Sequence, residues 1–225
     1  MAEAGAVLDE LRAAADPSRL PGMARVGISV EHALGVSIPA CRAIARRHRP
    51  DHALALALWR TRTHEARILA SMVDDPGRVT WSQMERWVRG FDSWDLCDQV
   101  CGNLFGPTPF VWDAARAWTR RPGEFVKRAG FTLIAERAVH DRSHDDAFFM
   151  SWFPAIREGA VDERRYVKKA VNWALRQIGK RDAVLLDAAI AEAEAIRELD
   201  SPSARWIAND ALRELRSDAV RDRLR

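Results

Sequence analysis

A chain of 225 residues, 48% hydrophobic and 30% charged, is long enough to bury a substantial core, while a net charge of +3 is too small by itself to identify an anionic partner. Its three cysteines, Cys41, Cys97 and Cys101, make neither a disulfide framework nor a CxxC pair, which points to a reducing compartment. The opening MAEAGAVLDELRAAAD has no apolar signal-peptide core, and no run approaches the ~20 apolar residues of a membrane span, so a cytoplasmic chain without membrane contact is expected.

Apolar positions recur with helical spacing almost throughout, and no segment shows a convincing two-residue alternation. HALALALWR (52–60) and EARILASMV (65–73) read as a helical hairpin turning at Thr61–His64. TWSQMERWVRGF (80–91) opens on Thr80 as N-cap, and Ser93 is placed to cap the next helix, with Asp95 near its positive end. GPTPF (106–110) interrupts the pattern and VWDAARAWTR resumes it. RPGEFVKRAGFTLIAERAVHD (121–141) places Pro122 in the expected first turn, and further helices are expected at about 145–157, 162–180, 183–197 and 203–215. Nine tryptophans against one tyrosine read first as packing anchors between helices.

An internal echo runs through the second half. VKRAGFTLIAERAVHD (126–141) aligns with VKKAVNWALRQIGKRD (167–182) at an offset of 41, and LRQIGKRD (175–182) with LRELRSD (212–218) at an offset of 37. Periods near ~40 fit stacked helix pairs of the HEAT or armadillo kind, which curve and present a concave face; a plain helical bundle is the alternative. The expected fold is an all-α, HEAT-like helical repeat solenoid with a concave basic cleft, spanning 1–225 as one domain.

Basic residues bunch at Arg42, Arg46 and Arg47; Arg86 and Arg89; Arg120 and Arg121; Lys127 and Arg128; Arg164, Arg165, Lys168 and Lys169; and Arg176, Lys180 and Arg181. Across the repeat, Lys127 and Arg128 correspond to Lys168 and Lys169. Equivalent positions of a solenoid share a side, so these residues would form a stripe able to follow a phosphate backbone; a solvated face is the competing reading. In FDSWDLCDQVCGNLF (91–105), Trp94 and Asp98 stand four apart, which on a helix sets an aromatic plate beside a carboxylate. For Asp95 a helix-dipole role suffices, and Cys97 and Cys101 read as small packing residues.

Taken together, SWDLCDQV, VKRAGFTLI, KKAVNWALRQIGKRD, LWRTRTHEARILA and MARVGISVEHALGVSIPACRAIARR resemble the DNA alkylation repair glycosylases of the AlkD type, over roughly residues 20–215. The resemblance implies an all-α cradle for duplex DNA, acting as a monomer in association with the nucleoid. It implies excision of purines alkylated at N3 or N7 while the damaged base stays near the stack. It places the cleft residues at Trp94, Asp98, Arg128 and Trp173; the basic clusters add Lys127, Lys168, Lys169, Arg86 and Arg89 as further DNA-binding candidates. Val26 stands where family members can carry a tyrosine.

The chemistry implied is cleavage of a C1′–N bond to a cationic base, leaving an oxocarbenium-like sugar. A carboxylate, here Asp98, would stabilise that charge and position water. Trp94 and Trp173 would pack the deoxyribose, and Arg128 would hold a flanking phosphate. A buried helix–helix hydrogen bond, or a salt bridge with Arg128, is the competing role for that carboxylate. Duplex DNA with alkylated bases is the expected partner, and no cofactor is expected. His140 and His144 in HDRSHDD are four apart but read as a solvated turn, so no metal is expected. The alternative function is a non-catalytic HEAT-like protein that binds damaged or unusual DNA structures.

Overall fold

A computed structural model describes residues 2–224, Ala2 by its backbone alone. Among the described residues there is no strand, and no helix is long and apolar enough to cross a membrane. The chain divides into two compact units, one ending at Val111 and one beginning at Trp112.

The first unit contains α1 (Ala2–Ala13), α2 (Leu20–Arg25), α3 (Ile38–His48), α4 (His52–Arg60), α5 (His64–Val73), α6 (Trp81–Val88) and α7 (Trp94–Val100). Helices α3, α4 and α7 all pack on α5, which buries every residue except Met72. The hairpin α4–α5 turns where the apolar pattern broke, with Arg62 at φ 60 in the turn. Thr80 caps α6 as expected, accepting the Gln83 amide at 3.2 Å. Ser93 does occupy the N-cap position of α7, but its hydroxyl donates to Asp95 Oδ1 at 2.8 Å instead of accepting a helix amide. After Val100 the helix loosens into one π turn, Cys101–Phe105, closed by the Gly106 amide on the Cys101 carbonyl at 2.8 Å. Cys97 and Cys101 are buried there, as packing residues should be.

Three charged side chains in α5 survive burial because each has fixed partners. Glu65, 1% exposed, accepts the backbone amides of Leu34 and Gly35 at 2.8 Å and of Val36 at 3.2 Å. This carboxylate pins the loop before α3. Gly35 has φ 79, and a Cβ at this position would stand 2.1 Å from the Asp16 carbonyl oxygen, so the loop admits only glycine. Arg67 donates to the Gly90 carbonyl at 2.6 Å and to Asp92 at 3.2 Å, and its guanidinium lies 4.8 Å from the centroid of Trp59. Trp59 in turn stacks on Trp87 at 4.1 Å.

The second unit holds most of α8 (Val111–Trp118), then α9 (Glu124–His140), α10 (Asp146–Met150), α11 (Phe153–Ala160), α12 (Arg165–Gly179), α13 (Ala183–Arg197), α14 (Pro202–Leu215) and α15 (Asp218–Arg223). Helix α12 is central, packing on α9, α11, α13 and α14. The first residues of α9, α12 and α14 reproduce the spacings of 41 and 37 read from the repeat. The N-cap residues Gly123 and Arg164 share one backbone geometry, φ −64 with ψ 130 and 128. Asn172 on α12 donates to Asp210 on α14 at 2.6 Å, and Arg176 pairs with Glu214. Stacked, similarly placed helices therefore explain the echo.

Three boundaries differ from expectation. Pro122 precedes α9 instead of lying in its first turn, because Gly123 takes the N-cap position. The helix expected over 145–157 breaks at Ser151–Trp152: Pro154 has no amide to bond the Met150 carbonyl, so it sits in the first turn of α11 instead. Helix α12 starts at Arg165, after Asp162 accepts the Arg164 amide at 3.2 Å and holds the chain in a turn.

Candidate nucleic-acid site

The N-terminal turns of α7 set the geometry of the first-unit candidates. Leu96, Cys97, Val100 and Cys101 are buried, leaving Trp94 and Asp98 half-buried, one turn apart on a less covered face. The indole N–H of Trp94 donates to the Val26 carbonyl at 3.1 Å. Val26 thus lies against the candidate tryptophan: its side chain is exposed, and its backbone carbonyl fixes the ring.

Below this face is a pairing that sequence spacing did not reveal. His64, 4% exposed, meets Asp95 Oδ2 at 2.8 Å through Nε2, while Ser93 occupies Asp95 Oδ1. Asp95 is therefore more than a dipole partner; it ties the start of α7 to the start of α5. Burial disfavours the imidazolium, but the Asp95 hydrogen bond and charge, with Glu65 and Asp92 nearby, raise the His64 pKa overall. Burial likewise disfavours the Asp95 carboxylate, and His64 and Ser93 outweigh it, lowering that pKa. The ionised pair contributes stability above the ordinary Asp value and below the ordinary His value, losing it in acid through the lowered Asp95 pKa and in base through the raised His64 pKa. The melting-temperature difference between wild type and Asp95→Asn is expected to be largest near pH ~5–6 and to shrink toward pH ~9. A thermal melt series across that range checks this, and a difference constant with pH counts against an ionised pair.

In the second unit, Arg128 lies near the start of α9, 5% exposed, with Nη1 donating to the Tyr166 carbonyl at 2.7 Å. Trp173 is half-buried in the middle of α12, between the buried Asn172 and Ala174. Lys127 bonds Asp162 at 3.0 Å; Asp162, shared with Arg164, has its pKa lowered to about 2, chiefly by the Arg164 hydrogen bond. Lys168 lies 5.5 Å from the Trp206 ring centroid, and Lys169 is exposed. In the first unit, Arg89 pairs with Glu85 at 2.7 Å and exposed Arg86 reaches Ser82 at 3.2 Å. Among the described residues, Lys168, Lys169 and Arg86 carry no acidic partner.

No group of three or more potential ligands able to hold a metal ion exists among the described residues. His144 bonds Asp141 at 3.1 Å and stacks on Phe148, and His140 faces Glu136 at 3.7 Å, so the two histidines serve different partners. The buried charges of THEAR were the overlooked signal: His64, Glu65 and Arg67 occupy positions where an apolar period demands a core.

Comparison with known proteins agrees with this architecture. A solved structure described as "A new family of proteins related to the HEAT-like repeat DNA glycosylases with affinity for branched DNA structures" superposes with a TM-score of 0.83 at 19% identity, over 98% of this chain and 95% of that one. The chain thus has the HEAT-like all-α fold. No curated protein matches the chain. A family model described as "DNA alkylation repair enzyme" matches residues 7–215. Helical repeats in the expected register, together with a match over nearly the whole length, show that the chain belongs to the DNA alkylation repair enzyme family.

Proposed function

We propose that the protein is a DNA glycosylase that releases purines carrying a positive charge after alkylation at N3 or N7. The observation that carries this reading is the α7 face, where the half-buried Asp98 follows the half-buried Trp94 by one turn and the Val26 carbonyl orients the indole. A cationic base is already a good leaving group, so no strong general acid is needed. The demand is for a negative charge near the sugar as C1′ becomes positive, and for a water placed to attack it. Asp98 takes that role, and the Trp94 ring packs the deoxyribose. Trp173 is the second indole, and Arg128 holds a phosphate.

The direct test is incubation of the purified chain with methylated duplex DNA and detection of released 7-methylguanine and 3-methyladenine. Release well above spontaneous depurination is expected. A second reading, retained because the structural relative is described as having affinity for branched DNA, is binding without excision. Background release combined with tight binding of a four-way junction would replace the first reading by the second.

Arg128 is tested separately. Arg128→Ala is expected to weaken duplex binding several-fold and to make its logarithmic salt dependence shallower by about 0.9, the value for one phosphate no longer neutralised. Arg128→Lys should keep the slope and lose part of the affinity, because the charge remains while the planar fork is absent. An unchanged slope in Arg128→Ala would leave this side chain a structural role, of which the hydrogen bond to the Tyr166 carbonyl is one part.

A further inference from the structure

Helix α3 sorts its basic residues onto two faces. On one, Arg47 and His48 both pair with Glu10, whose carboxyl is held below its ordinary pKa by the Arg47 hydrogen bond first and His48 second. On the other, Arg42 and Arg46 stand four apart in the helix, and Arg49 follows as its extended C-cap residue. With Ala45, Met72 and Asn103 they line a cavity of about 270 Å³ within the first unit. All three arginines are exposed, and among the described residues none of their side chains forms an ion pair or hydrogen bond.

We infer that this cavity binds a backbone phosphate of DNA. Three guanidinium groups lining one cavity repel each other in the free protein, and the acid that neutralises this helix pairs with Arg47 and His48 instead. An anion relieves that repulsion, and guanidinium forks match phosphate oxygens. Ala45 and Met72 offer no ring on which a base or nucleoside could stack, so the cavity recognises the phosphodiester and not a nucleotide. Asn103 lies in the π turn that continues α7, and its side-chain amide donates to Ser71 Oγ at 3.2 Å and Gln99 Oε1 at 3.3 Å. The widened turn therefore supplies one wall. The contact is independent of base sequence and of damage, and holds the strand while α7 addresses the sugar. It rests on the DNA-binding half of the proposed function and not on excision.

The test is fluorescence-anisotropy binding of undamaged duplex by the full chain across a series of salt concentrations. For Arg42→Gln/Arg46→Gln, the logarithmic salt slope is expected to become shallower by about 0.9 for each phosphate that is no longer neutralised, with affinity falling about 10-fold at low salt. Arg46→Lys should retain the slope, and Arg12→Gln, an exposed residue paired with Asp9, should match wild type. Melting curves verify that each variant is folded. An unchanged slope and affinity in the folded double variant would make these arginines ordinary solvated surface and overturn the inference. Calorimetric binding of inorganic phosphate by wild type, with duplex affinity unaltered in the double variant, would overturn it in favour of a free anion. Because the duplex is undamaged, absence of excision would leave this result standing, and absence of the slope change would leave excision standing.

Discussion

Asp98→Asn is expected to bind methylated duplex DNA with near-unchanged affinity and to release 7-methylguanine at least about 100-fold more slowly under single-turnover conditions. The substitution keeps the shape of a half-buried side chain one turn beyond Trp94 and removes its charge. Binding depends on the phosphate backbone and should barely respond. The chemical step requires the enzyme to favour the positive sugar over the neutral ground state, and a neutral amide favours it far less than a carboxylate. The effect should therefore fall on the rate and leave the dissociation constant in place. Wild-type release by the folded variant would remove Asp98 from the mechanism, and loss of binding together with release would point to a structural carboxylate.

Glu65→Ala is expected to lower the melting temperature by about 6–12 °C, corresponding to roughly 3 kcal/mol for a chain of this size. Its carboxylate is the shared acceptor for the Leu34, Gly35 and Val36 amides. Truncation would leave three donors without their charged acceptor and a void beside the Leu34–Val36 backbone. Glu65→Gln retains one acceptor oxygen but adds two donors facing donors, so an intermediate loss is expected. Differential scanning calorimetry checks both variants. A Glu65→Ala shift below about 2 °C would mean that water substitutes for the carboxylate and that the loop is held by other contacts.

Helix positions were legible because each helix needs one apolar stripe, and that requirement writes a local period into the chain. Thr80 was legible as a cap because capping acts over three residues. The starts of α9, α12 and α14 were legible because stacked helices ask the same of each repeat. Ser93 misled because its hydroxyl had a rival acceptor in Asp95, itself held by a histidine 31 residues away. The break before α11 was legible in principle, since Pro154 forbids the missing hydrogen bond; the surrounding apolar run masked it.

The candidate site divides in the same way. Trp94 and Asp98 belong to one helix, so their shared face followed from spacing alone. That the indole is fixed by the Val26 carbonyl, 68 residues earlier, did not. Nor did the sequence separate the basic residues by role: Arg128 is buried against a carbonyl and Lys127 bonds an aspartate, while Arg42, Arg46 and Arg49 stand without partners among the described residues.

Sequence by itself determined the helical class, the repeat spacing and the local face that joins a tryptophan to an aspartate, since these depend on neighbours within a turn or on a recurring period. Tertiary structure alone decided which charges are neutralised, which remain open to an anion, and how the helix carrying Asp98 is held. Those outcomes depend on partners brought together from distant positions by packing, and no local pattern of residue types encodes them.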